Sequence, residues 1–419
     1  MYIARRQLYS ILTATGVLLA AIAVALLRFP AAYPVWIATY WEPEFEYLSD
    51  YTKGPAIGAA SAILLEGTTG TVLYAKNEHV RRPPASTTKI LTGLLALEEG
   101  NLNDIVTISQ RAAGIRGSSA HISPRQRIPL RDLLYGLLLP SGNDAAVAIA
   151  EHLAGSETAF IQIMNSRARE LGAINSHFTN SHGLDHPDHY STAFDLAMIT
   201  RVALLYPTFT ETVGQKQHSA DFEGSQWSWQ NTNRLLFSFE GAEGVKTGTT
   251  GGAGHCLVAA ASRDGRRLIS VVLGSRNRWH DSANLLEYGF SEFHLLPLAL
   301  KGQILARAAI QGGLHQEIVC IAATTLHKVV HNQNVDDIRS HTVIDKTTAP
   351  IKKGQRVGEV HFTLNDESIG QVPLVAAYSV PRATPFYRFL HGLRRLFTVF
   401  PRVYKRQETA LLLEMEKRR

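Results

Sequence analysis

The sequence predicts a mixed α/β protein in which a largely antiparallel sheet with helices is followed by a small β-rich, sandwich-like domain. Three observations carry this expectation. Short apolar runs with turn residues between them lie at both ends of residues 54–295, and the middle of that stretch holds Leu- and Ala-rich helical patterns, so helices lie between strands that pair locally. From Leu296 to Val380 the pattern changes to short β-rich runs. At 419 residues, 45% hydrophobic and 19% charged, the chain has room for two domains and a globular rather than a disordered composition.

The first element, residues 1–30, concerns a membrane. Gln7 to Leu27 carries no charge and follows Arg5 and Arg6; as a helix it spans about 30 Å, the hydrocarbon thickness of a bilayer. The basic flank predicts a cytoplasmic N-terminus and export of the remainder. Ala21, Ala23 and Ala25 offer small-residue cleavage sites, so the segment reads as a signal peptide or a retained anchor. Residues 31–53, with Pro, Trp and Tyr but no clear periodicity, form a linker.

Folded structure is expected from Gly54. Ser61 to Leu65 and Thr71 to Ala75, separated by Gly67-Thr68-Thr69-Gly70, read as a hairpin. After Pro83-Pro84, Ile90 to Leu97 is too apolar for a surface helix and is expected at the centre. Between Arg131 and Leu153 two helical patterns break at Pro140-Ser141-Gly142-Asn143. His255 to Ser262 and Arg267 to Leu273 are strands joined around Asp264-Gly265, with a helix over Asp281 to Tyr288. In residues 296–380, Ile318 to Ala322, Val357 to Phe362 and Val372 to Ala376 are strands divided at Lys353-Gly354 and Asn365-Asp366.

Residues 381–419 close the chain. Phe386, Phe389, Leu390, Leu393, Leu396, Phe397 and Phe400 fall on one helical face, with Arg388, His391, Arg394 and Arg395 elsewhere. A basic amphipathic helix of this kind suits the plane of an anionic membrane, with docking on protein the alternative. The net charge of +6 also resides here: Arg382 to Arg419 holds ten Lys/Arg against three Asp/Glu, a balance of +7 that leaves the rest at −1. That distribution excludes a nucleic-acid groove through the fold. Cys256 and Cys320 lack Cys-x-x-Cys spacing, which excludes a disulfide framework or zinc ribbon and leaves two small buried hydrophobes.

The chemistry lies in three short motifs. Ser86 and Lys89 of Ser86-Thr87-Thr88-Lys89 are three residues apart at the start of the apolar helix, so both side chains share a face. Lysine can take the serine proton only when neutral, which requires burial and a neighbouring cation such as Lys246. Ser141-Gly142-Asn143 sits on the turn between helices; Ser141 is placed to relay a proton and Asn143 to hold substrate and Lys89, against the simpler reading of both as helix caps. Lys246-Thr247-Gly248 precedes a strand and is expected on a sheet edge, where Gly248 admits substrate. Lys246 and Thr247 there suit a carboxylate, and the Ser86 and Thr249 amides an oxyanion; an ordinary Lys-bearing sheet edge is the alternative.

In this order the motifs form a set known for class A β-lactamases and penicillin-binding proteins. The sequence resembles the low-molecular-mass penicillin-binding proteins, the D-alanyl-D-alanine carboxypeptidases, over roughly Ala59 to Phe293. Pro83-Pro84-Ala85-Ser86, Asn180-Ser181-His182-Gly183-Leu184, His189-Tyr190-Ser191-Thr192-Ala193, Asn231-Thr232-Asn233-Arg234-Leu235-Leu236 and Gly244-Val245-Lys246-Thr247-Gly248 carry the resemblance. It implies a β-lactamase/transpeptidase-like catalytic domain, a β-rich C-terminal domain and an amphipathic anchor at the outer face of the cytoplasmic membrane. It also implies a peptidoglycan stem peptide as substrate, β-lactams as acylating inhibitors, and no metal or cofactor. The chain departs from the family in an N-terminal run long enough to be retained and in a tail that continues past Pro401.

Two other readings share the nucleophile. A class A β-lactamase deacylates with a glutamate-activated water, but no Glu-x-x-Leu-Asn run stands between Asn143 and Lys246. A membrane-bound sensor that acylates without turnover is opposed by the intact set of Ser86, Lys89, Ser141, Asn143 and Lys246. His182, Asp185, His186, Asp188 and His189 are dense enough to raise a zinc site, but Gly183 and Pro187 make them a loop without a helical His pair.

Overall fold

The computed structural model describes residues 46–48 and 54–386, all within one compact unit. The N-terminal apolar run and the amphipathic tail beyond Phe386 lie outside these residues. Among the described residues no helix is long and apolar enough to cross a membrane.

The first sheet contains β1 (Ser61–Glu66), β2 (Val72–Lys76), β3 (Ala242–Thr250), β4 (Gly254–Arg263) and β5 (Arg266–Ser275). Their spatial order is β2-β1-β5-β4-β3, with every neighbouring pair antiparallel. Leu268 to Leu273 of β5 are buried without a break, as expected for a central strand covered on both faces. One face takes α7 (Arg278–Glu292), whose start is capped by the Asn277 side chain accepting from the His280 amide. Gly289 brings this helix close, since a Cβ there would stand 2.6 Å from Leu268 and 2.7 Å from Leu64.

The other face carries the helices between β2 and β3: α1 (Lys89–Glu99), α2 (Leu130–Leu138), α3 (Asn143–Ala154), α4 (Glu157–Glu170), α5 (Ala193–Ala203) and α6 (Pro207–Gly214). The expected central helix is α1, in which every residue from Lys89 to Ala96 is buried. A helix apolar all round has no solvent face to offer, so its neighbours enclose it. Truncating one of its leucines, such as Leu94, to alanine is expected to cost about 2–5 kcal/mol.

The β-rich domain opens with β6 (Phe293–Ala299), paired with β9 (Leu326–His331); the expected border at residues 295/296 falls inside β6. A five-stranded sheet follows from β7 (Ile304–Ala309), β8 (Glu317–Ala322), β10 (Ile338–Ile344), β11 (Arg356–Leu364) and β12 (Glu367–Ala376), in the order β7-β8-β12-β11-β10. The β11–β12 hairpin turns at Asn365 and Asp366, both with positive φ, a conformation these two residue types tolerate. Ile318, Cys320, Val357, Val360, Val372 and Leu374 build its core. Cys256 and Cys320 are free and buried.

Candidate active site

Ser86 is positioned by short-range bonds that begin with its neighbours. The Thr87 hydroxyl donates to the Pro84 carbonyl at 2.7 Å and the Thr88 hydroxyl to the Ala85 carbonyl at 2.9 Å. These bonds hold a 3₁₀ turn, Ala85–Thr88, that runs directly into α1. In such a turn residues i and i+3 eclipse, and Lys89 Nζ accordingly stands 3.0 Å from Ser86 Oγ. Ala85 has φ of 50°, a left-handed conformation that costs about 1–2 kcal/mol for alanine. The surroundings leave it little alternative: Gly183, itself at φ +92°, lies so near that a Cβ on it would collide with the Ala85 carbonyl.

Lys89 is completely buried and has three acceptors for its three potential donors: Ser86 Oγ, Asn143 Oδ1 at 2.7 Å and the His182 carbonyl at 2.7 Å. Burial first, and then the charge of Lys246, hold its pKa well below the ordinary lysine value, with Asp144 opposing the shift. Asn143 opens α3, and its side chain does not cap that helix. It bonds Lys89 through Oδ1 and donates through Nδ2 to the Arg116 carbonyl at 2.7 Å, so an amine donor on one side and a carbonyl acceptor on the other fix the amide orientation. Ser141 is buried at φ of 69° in the turn before α3. Its hydroxyl makes no hydrogen bond to Lys89 or Ser86.

The Lys246-Thr247-Gly248 motif lies on β3, the edge strand. Lys246 is 1% exposed and donates to the Thr247 carbonyl at 3.1 Å. Burial and then Arg278 push its pKa down to about 7. The hydroxyls of Thr247 and Thr232 are 2.7 Å apart. A Cβ on Gly248 would meet Ala85 Cβ and the Pro84 carbonyl at 3.0 Å and the Ser86 amide at 3.1 Å, so absence of a side chain sets how near β3 comes to the serine. Thr249 follows at the end of this contact, with its hydroxyl donating to the Gly248 carbonyl at 2.8 Å.

Several contributors escape the sequence motifs. Arg278, at the start of α7, donates to the Gly248 carbonyl and to Thr249 Oγ1, both at 2.8 Å. Asp144 gathers the loop before α2 by accepting from the Ser119 hydroxyl at 2.6 Å and the Ala120 amide at 2.8 Å. His182 contributes a backbone carbonyl, for which the side-chain sequence gives no signal. The His- and Asp-rich stretch serves as a wall: His189 Nε2 lies 2.9 Å from the Thr88 hydroxyl, and its Nδ1 accepts from the Thr179 amide at 3.0 Å.

Residues 49–277 match the model of a family described as D-alanyl-D-alanine carboxypeptidase, and residues 293–382 match that of the penicillin-binding protein 5 C-terminal domain. The D-alanyl-D-alanine carboxypeptidase DacF of Bacillus subtilis (strain 168) is 34% identical over 336 residues, covering 78% of this chain and 86% of the relative. DacC of Escherichia coli (strain K12), of the same description, is 35% identical over 353 residues, 80% of this chain and 88% of the relative. The crystal structure of penicillin-binding protein 5 from Haemophilus influenzae superimposes with a TM-score of 0.66 at 30% identity, covering 79% of this chain and 100% of that one. These matches bear out the mixed α/β fold with its β-rich C-terminal domain.

Proposed function

Because the chain belongs to the D-alanyl-D-alanine carboxypeptidase family and is a serine-type hydrolase of that family, we propose that it works through an ester on Ser86. The supporting observation is the 3.0 Å approach of a buried Lys89 with lowered pKa to Ser86 Oγ. A neutral Lys89 accepts the hydroxyl proton as Ser86 attacks the carbonyl carbon between the two D-alanines. The substrate carboxylate rests against Lys246 and Thr247, and the carbonyl oxygen takes up negative charge beside the Ser86 and Thr249 amides.

Collapse of the tetrahedral intermediate breaks the C–N bond, and D-alanine leaves with a proton delivered through Ser141. Water then attacks the ester, Lys89 takes its proton, and Ser86 regains its own. Gly248 keeps β3 near enough for both amides to face one oxygen. Asn143 holds Lys89 and the substrate backbone. A β-lactam follows the same course as far as the ester.

The same reading includes export, with residues 54–295 as the catalytic domain, 296–380 as the β-rich domain, and membrane attachment by the N-terminal segment, the basic tail or both. The test is D-alanine release from a stem peptide ending in D-Ala-D-Ala, by wild type, Ser86→Ala and Lys89→Ala. Release by wild type alone is the expected result; release by Ser86→Ala overturns the nucleophile, and release by Lys89→Ala at the wild-type rate overturns the base. Cosedimentation with anionic vesicles, with and without residues 387–419, tests the tail. Undiminished binding assigns attachment elsewhere.

A further inference from the structure

Asp185 joins its loop to the β3–β4 turn through both carboxylate oxygens. Its Oδ1 accepts from the Thr250 hydroxyl at 2.6 Å, and its Oδ2 accepts from the Gly252 amide at 3.0 Å. The turn is shaped for this carboxylate, since a Cβ on Gly252 would stand 3.2 Å from Asp185 Cγ. Thr250 also accepts from the Ala253 amide at 3.0 Å, so the turn is braced from within at the residue that Asp185 holds.

The loop carrying Asp185 is equally braced. Asn180 accepts from the Gly183 amide at 2.6 Å and donates to the Leu184 carbonyl at 3.0 Å, and the Leu184 amide donates to His182 Nδ1 at 3.2 Å. This small loop touches three parts of the site. Its His182 carbonyl holds Lys89, its Gly183 presses on Ala85, and its Asp185 holds the turn. Thr250 is the residue next to Thr249, and Asp185 is three residues from His182.

We propose that Asp185 is a positioning residue that sets the width of the cleft by tying the wall that holds Lys89 to the wall that carries the Thr249 amide. It touches neither nucleophile nor base. Its effect is on the distance between the proton acceptor and the oxyanion donor, two groups that must serve one tetrahedral carbon. A carboxylate with two acceptor oxygens suits two donors on the opposite wall, whereas a single hydrogen bond would let the turn pivot. Misplacement of about 1 Å costs up to roughly a hundredfold in rate.

The inference rests on the Ser86 mechanism proposed above, and its test separates the two. Steady-state release of D-alanine is measured for full-length wild type, Asp185→Ala, Thr250→Val and the double variant, with thermal midpoints alongside. The expected result is a fall in kcat of about tenfold to a hundredfold for each single variant, little change in KM, and a double variant no slower than Asp185→Ala because both changes cut one tie. Unchanged midpoints with this kcat loss distinguish positioning from general loosening of the fold. Single variants with wild-type kcat, or effects that multiply in the double variant, overturn the tie. Absence of D-alanine release from wild type itself overturns the underlying reading instead.

Discussion

Lys89 Nζ lies 2.7 Å from Asn143 Oδ1, closer than the 3.0 Å that separates it from Ser86 Oγ. Asn143 therefore supplies a neutral acceptor where a carboxylate would fix the proton on lysine. Asn143→Asp should favour the charged form of Lys89 and raise its pKa. Since only neutral Lys89 accepts the serine proton, the acid limb of penicillin acylation moves to higher pH and the rate at neutral pH falls. Stopped-flow acylation across pH checks this; an unmoved limb contradicts the account.

Lys246 acts on the same base from the other wall. Its charge is the second cause of the lowered Lys89 pKa, after burial. Lys246→Met removes that charge, so the Lys89 pKa rises and the acid limb again moves to higher pH. The substitution also removes a cation from the carboxylate site, so KM for the peptide rises. A change in KM with no displacement of the limb would confine Lys246 to binding.

Gly248→Ala places a methyl group 3.0 Å from Ala85 Cβ and 3.1 Å from the Ser86 amide. Strand and serine turn must separate by a few tenths of an ångström. Overpacking of this kind costs about 1–3 kcal/mol of stability, and slower acylation by about tenfold or more is expected as the Ser86 and Thr249 amides move apart. Wild-type acylation by this variant would mean that the two amides do not share one oxyanion.

Two buried histidines make folding sensitive to acid. Burial and then the Lys89 charge push His182 down to about 4, and burial pushes His189 down to about 3. Both are held neutral in the folded protein, while the unfolded chain takes up protons near pH 6.5. The unfolded state therefore binds more protons below that pH. Stability is full above it and is lost as pH falls toward 4 and then 3. At ~1.4 kcal/mol for each unit of depression, the loss is on the order of several kcal/mol. Urea midpoints at neutral and acid pH test this, and His189→Asn should flatten the dependence. Parallel curves for variant and wild type would remove His189 from the explanation.

Much of this site was legible in the sequence because its side chains lie in short motifs whose local structure is self-determined. Ser86 and Lys89 share one turn, Asn143 opens a helix after a Pro-Ser-Gly break, and Lys246 to Thr249 occupy one strand. Helix α1 was legible from the Leu- and Ala-rich run of Ile90 to Leu97. The remainder depends on tertiary placement. The His182 carbonyl that binds Lys89 is a backbone atom common to every residue type, and Arg278 reaches Gly248 only because α7 packs on β4, the strand next to β3. The positive φ of Ala85 and Ser141 runs against the preference of both residues, and at Ala85 it accompanies the close approach of Gly183, distant in sequence. Ser141 is read as the proton relay from its motif; its hydroxyl makes no hydrogen bond to Lys89, so the hydrogen bonds around Lys89 carry no signal for that role.

The central claim is that Ser86 carries the acyl group. Full-length wild type and Ser86→Ala are incubated with penicillin, and each is weighed intact and then mapped by peptide. The account predicts one adduct of the antibiotic's mass on wild type, located on the peptide containing Ser86, and none on the variant. An adduct of the same mass on Ser86→Ala, or on another peptide of wild type, would contradict it.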